Sequence, residues 1–129
     1  MKIISKWSAV AVLLTTGALV AQKPGIQRTV VLTKDLSVPG REAIVARVEI
    51  APGASAGRHT HPGEEISYIL EGQADILIQG QPALHVKPGD SFMVPSGAIH
   101  DAHNTGTVPM KLVGFYLVEK GKPLATPAK

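Results

Sequence analysis

A chain of 129 residues, 44% of them hydrophobic, has room for one small domain and its core, so any site must be built inside a single fold. Thirteen Lys and Arg face ten Asp and Glu, but the basic residues are scattered and form no stripe that would track a phosphate backbone, which excludes nucleic acid as the expected partner. There is no cysteine, so disulfides and thiolate ligands are excluded and stability must come from packing, metal or association.

The chain opens as a signal peptide does. Lys2 and Lys6 precede an apolar run from Trp7 to Val20, broken at Thr15, Thr16 and Gly17, with the small residues Ala18 and Ala21 near its end. The run is shorter than the roughly 20 apolar residues a bilayer span needs, and Gln22-Lys23-Pro24-Gly25 supplies no stop-transfer cluster. The expectation is a signal over residues 1–21, cleaved after Ala21, and a periplasmic or secreted protein with no membrane span thereafter; an uncleaved anchor is the alternative. Taking Lys2 and Lys6 from the 13 basic residues leaves 11 against 10, so the mature domain is close to neutral.

Beyond the signal, Thr29 to Thr33 reads as a short strand and Ser37-Val38-Pro39-Gly40 as a turn. From Arg41 the pattern has a period of two, which puts Ile44, Ala46, Val48 and Ile50 on one face of a half-buried strand ended by Ala51-Pro52-Gly53. Short strands follow over Gly57 to His61, Glu65 to Glu71, Ala74 to Gln79, Leu84 to Lys87, Ser91 to Val94, Ile99 to His103 and Lys111 to Val118. Their separators are turn sequences such as Pro62-Gly63, Gly80-Gln81-Pro82 and Lys87-Pro88-Gly89-Asp90. No sustained helical period interrupts them after residue 21, so the reading is an all-β sandwich or barrel over residues 22–119. Gly121 to Lys129, with Pro123 and Pro127, reads as a loose end, making 120–129 a flexible tail.

Candidate chemistry is concentrated in two clusters, Gly53-x5-His59-x-His61-x3-Glu65-x6-Gly72 and Gly89-x5-Pro95-x-Gly97-x2-His100-x3-Asn104. One residue separates His59 from His61, so on a strand both imidazoles leave the same face while Thr60 points away. Glu65 enters the next strand and can offer a carboxylate to the same interior, with Ser67 and Ile69 sharing its parity and Glu64 and Tyr68 turned outward. His100 arrives from a distant strand behind the tight Pro95-x-Gly97 turn. A lone histidine is more often a hydrogen-bonded surface residue than a ligand, but three imidazoles and a carboxylate so arranged are not a by-product of core packing; they form a transition-metal ligand set. His85 alternates toward solvent, and His103 and Asp101 alternate away from His100. Phe92 and Phe115 read as ordinary core. With no Gly-x-Ser-x-Gly, no cysteine nucleophile and no glycine-rich phosphate cradle, serine-triad hydrolysis and nucleotide chemistry are disfavoured.

The two clusters match the two motifs of the cupin superfamily position for position, and with the short Gln73 to Pro88 segment between them the chain resembles the small single-domain bacterial cupins. The resemblance covers about the central half of the mature protein. It implies a double-stranded β-helix, a small conical antiparallel barrel of jelly-roll type, holding one divalent transition metal through His59, His61, Glu65 and His100 with open positions for water, dioxygen or substrate. It also implies manganese or iron ahead of nickel, zinc or copper, and a homodimer.

Three functions follow, all acting on a small molecule. The first is a secreted metalloenzyme with dioxygenase-like oxidoreductase chemistry, in keeping with the apolar cavity expected from Ile44, Val48, Ile69 and Ile76. The second is a redox-neutral lyase or isomerase in which the ion acts as Lewis acid. The third is a non-catalytic module that binds a small ligand or the metal itself. No catalytic acid or base outside the ligand set is legible.

Overall fold

Strict alternation governs the long strands, because successive side chains of an extended chain leave opposite faces. A computed structural model describes residues 23–129; the expected signal peptide lies outside them. The strands are β1 (Ile26–Asp35), β2 (Arg41–Ile50), β3 (His59–Thr60), β4 (Gly63–Glu71), β5 (Ala74–Ile78), β6 (Leu84–Val86), β7 (Ser91–Val94), β8 (His100–His103), β9 (Met110–Glu119) and β10 (Thr126–Pro127). They form two five-stranded antiparallel sheets, β1-β2-β9-β4-β7 and β10-β3-β8-β5-β6. The all-β expectation holds, and the described residues contain no helix long and apolar enough to cross a membrane.

The core sits between the sheets. Val48 and Ile50 of β2, Ile69 of β4, Phe92 and Val94 of β7 and Leu112 of β9 meet Ala74, Ile76 and Ile78 of β5 and Val86 of β6 in one apolar cluster. A smaller cluster of Ala46, Tyr116 and Val118 takes Ile44 and Leu124 against its side. The expected face of Ile44, Ala46, Val48 and Ile50 is the inner face of β2. Phe115 departs from expectation. In β9 the inward parity belongs to Met110, Leu112, Gly114, Tyr116 and Val118, which leaves Phe115 43% exposed on the outer face, in register with the exposed Ile66.

The chain passes from one sheet to the other at His61-Pro62, where β3 ends and β4 begins. Gly63 makes this crossing feasible: a Cβ there would lie 2.0 Å from the Leu117 carbonyl oxygen, so only glycine lets β4 run this close to β9. A second difference concerns the end of the chain. The segment read as a loose tail folds back, pairing Thr126 with Thr60 and Pro127 with His59, and Ala128 N–H donates to the Arg58 carbonyl at 3.0 Å. Its proline and glycine content suggested looseness, whereas the apolar Leu124 gives it a place to pack.

Asn104 ties the loops at one end of the barrel. Fully buried, it donates from Nδ2 to the carbonyls of Ile50 and Val108, both at 2.9 Å, while its Oδ1 accepts the Gly106 N–H at 2.8 Å. Asn104→Ala removes all three bonds and strands buried main-chain groups, so a loss of about 2–4 kcal/mol is expected in urea unfolding. A loss under about 1 kcal/mol would contradict this role.

Candidate metal centre

His59 lies on β3, His61 at the crossing, and His100 at the start of β8, paired directly with His59. All three are buried, and one ring nitrogen from each lies within 4.8 Å of the others, a cluster able to hold a metal ion. Ring centroids are 4.2 Å apart for His59 and His100, 4.8 Å for His59 and His61, and 4.9 Å for His61 and His100.

The orientation of the rings is fixed from behind. Nδ1 of His59 donates to the Gly57 carbonyl at 2.6 Å, Nδ1 of His61 to the Leu124 carbonyl at 2.6 Å, and Nδ1 of His100 to the Ala98 carbonyl at 3.0 Å. A carbonyl only accepts, so the proton is held at Nδ1 and each Nε2 is left to offer a lone pair. Gly57 is itself pinned, its N–H donating to Asp101 Oδ1 at 2.8 Å. Asp101, which alternates away from His100 as expected, thus acts on the imidazoles indirectly.

Glu65 of β4 approaches from the other sheet. Its Oε2 lies 2.9 Å from His61 Nε2 and 3.3 Å from His100 Nε2, while its Oε1 accepts a 2.6 Å hydrogen bond from the buried Ser67 hydroxyl. The two close approaches lack hydrogen-bond geometry, and neither His61 Nε2 nor His100 Nε2 has a hydrogen-bond partner among the described residues. Lone pairs of two imidazoles facing a carboxylate oxygen at such distances repel one another, and a cation among them converts the repulsion into coordination. The residues therefore fit a divalent transition ion, for which nitrogen-rich sites with one hard oxygen are suited. Burial by itself would raise the Glu65 carboxyl, but the Ser67 hydroxyl donates to it, and His100 and His61 favour its charged form whenever they carry a proton at Nε2, so the group is held below the usual carboxylate range. Burial brings His59 down to about 4 against the pull of the Gly57 carbonyl, and the nearby Arg28 guanidinium and any proton gained by His100 or His61 act in the same direction as burial.

Sequence reasoning missed three contributors. Tyr116 of β9, 1% exposed and in register with Glu65, packs edge-on against His61 at 4.8 Å between centroids. Burial and the Glu65 charge raise its phenol above the ordinary range, opposed by a hydrogen bond with Arg28, so it stays a protonated donor. Gly114 gives it space, since a Cβ there would stand 2.7 Å from the Tyr116 hydroxyl. The other two are Arg28 and the Leu124 carbonyl. A tyrosine at an inward position looks like core, and a main-chain acceptor leaves no mark on sequence. The remaining histidines lie elsewhere: His85 is exposed beside Asp75 at 2.8 Å, and His103 bonds the Ser55 hydroxyl at 2.8 Å.

A cavity of about 20 Å³ lies against His59, Glu65, His100 and Tyr116, walled by apolar side chains including Val48, Ile76, Phe92 and Leu112; it holds one water-sized molecule. Outside it opens a vestibule of about 690 Å³ bounded by Lys23, Arg28, Arg58, His59 and the segment from Pro123 to Pro127. Three cations and no carboxylate line the vestibule among the described residues. Arg28 and His59 line both spaces and so mark the passage between them.

Residues 46–118 match the Cupin domain family. This chain is a cupin. It is 30% identical over 97 residues to the Oxalate-binding protein of Thermotoga maritima, covering 74% of this cupin and 78% of that protein. It is likewise 30% identical over 89 residues to Germin-like protein subfamily 2 member 1 of Arabidopsis thaliana, covering 63% of this cupin but spanning only 41% of that longer chain. Among solved structures, an uncharacterized protein with a double-stranded β-helix domain from Klebsiella pneumoniae superposes with a TM-score of 0.66 at 23% identity, over 82% of this cupin and 89% of that chain. The fold is thus the double-stranded β-helix, and the expectation of a small cupin domain holds.

Acid should weaken the metal-free protein in a defined window. The unfolded chain takes up a proton on His59 near 6.5 and the folded chain only near 4, so stability falls as pH drops between these values; Glu65, with its carboxyl depressed from 4.5, adds a further loss at lower pH. Urea midpoints measured from pH 7 to 4 are expected to decline throughout, and a flat profile would refute the burial of a neutral His59.

Proposed function

We propose that this cupin is an exported metalloenzyme that holds one divalent transition metal through His59, His61, Glu65 and His100 and carries out dioxygenase-like oxidoreductase chemistry on a small anionic molecule. One observation carries the reading: three Nδ1 protons committed to main-chain carbonyls, so that three Nε2 lone pairs converge beside a carboxylate. Bound there, manganese or iron would supply Lewis acidity and electron transfer to dioxygen, with nickel, zinc and copper as further candidates.

The protein's own residues set the conditions. Lys23 and Arg58 in the vestibule and Arg28 at the passage attract and orient a carboxylate or enolate. The likeness to an oxalate-binding protein supports that anionic preference. The apolar walls of the inner cavity exclude bulk water and leave space for one small molecule such as dioxygen next to the imidazoles. Tyr116, kept protonated, presents a hydroxyl donor at the same cavity. That donor also favours a second reading, redox-neutral lyase or isomerase chemistry, in which Tyr116 delivers a proton to the substrate. The amino-terminal signal pattern supports the exported setting.

Metal analysis of protein purified without an affinity tag is expected to find about one transition ion per chain, and His59→Ala should weaken its affinity by more than ~100-fold, beyond the loss typical of an outer hydrogen-bond partner. Dioxygen uptake with small carboxylate or enol substrates is expected from the loaded protein and not from the metal-free form. Turnover that survives exchange to zinc without dioxygen uptake would replace the oxidoreductase reading by the second one. Saturable binding with no turnover would leave a ligand-binding module.

A further inference from the structure

We infer that Leu124, outside the residues matched to the cupin family, is a positioning residue for His61, and that the carboxy-terminal segment thereby forms part of the metal centre. The inference rests on the metal reading above only for its consequence, not for its geometry.

The three imidazoles are held in unlike ways. His59 and His100 each donate to a carbonyl two residues earlier in the chain, in the loop that leads into their strand, an arrangement that local backbone shape maintains. His61 instead donates to the carbonyl of residue 124, 63 positions away in the chain. Its orientation therefore depends on whether a remote segment stays in place.

Two sets of contacts seat that segment. The Leu124 side chain packs against the cluster of Ala46, Tyr116 and Val118, and Tyr116 also makes ring contact with His61. Beyond it, β10 pairs with β3, which carries His59. The side chain of Leu124 thus anchors the carbonyl of the same residue at the His61 ring. Losing the acceptor removes what distinguishes the two neutral forms of His61. A proton that moves to Nε2 faces the ion position and blocks coordination, so a fraction of the protein becomes unable to bind. Because the same segment walls the vestibule, its seating sets both the shape of the entrance and the readiness of a ligand nitrogen.

The test uses the full chain. In metal-free protein at pH 8, imidazole ¹⁵N shifts are expected to show His59, His61 and His100 all protonated at Nδ1. In Leu124→Ala, His61 alone should become a mixture of tautomers, and zinc(II) affinity measured by competition with a chelator should fall about 10- to 100-fold. Leu124→Met, which keeps the apolar anchor, should restore both. The proposal is overturned if His61 keeps its tautomer and zinc affinity in Leu124→Ala, or if all three imidazoles change together, since the segment would then act on the whole fold. Should wild-type protein bind no metal, the reading of the centre fails while the ¹⁵N spectrum still decides the role of Leu124.

Discussion

Imidazole has two nitrogens, and in this protein the fate of one determines the use of the other. Gly57, Leu124 and Ala98 accept the Nδ1 protons of His59, His61 and His100, so the three remaining lone pairs are left close to one another. Glu65 adds a negative oxygen there, held in place by Ser67. A concentration of electron density of this kind costs free energy unless a cation offsets it, and the surrounding β-structure maintains it because each group is fixed by its own partner.

The surroundings divide the work by distance. Next to the imidazoles the walls are aliphatic or aromatic, which strengthens local electrostatics by excluding solvent. Farther out, the vestibule is cationic, although the mature chain as a whole is expected to be nearly neutral. Charge that is scattered along the sequence is therefore gathered at one opening by the fold. Arg28 stands where the two environments meet, bonded to Tyr116 and adding positive charge near His59.

Much of this was legible from residue order. The shared parity of Glu65, Ser67 and Ile69 places Glu65 and Ser67 inside and Tyr68 outside, and the spacing of His59 and His61 gives them a common direction. Phe115 obeys the same alternation, one residue from the inward Tyr116, but an aromatic in an apolar run has the composition of core on either face. Other features were beyond the reach of local pattern. Nothing near Leu124 announces a hydrogen bond to a ring 63 residues away, and a stretch holding Pro123 and Pro127 has the composition of a linker. Arg28 lies on an edge strand whose neighbours Val30, Val31 and Leu32 are exposed, so its convergence on the site depends on how the sheets face each other.

The crossing at His61-Pro62 carries a mechanical meaning. His59 and His100 belong to one sheet and Glu65 to the other, with His61 on the short link between them. An ion gripped by all four would act as a rivet through both layers, and its departure would let them slide and spread, loosening the barrel far from the pocket. Resistance to heat and proteases would then track metal supply, so the protein's lifetime in its compartment would be set in part by the ions available there.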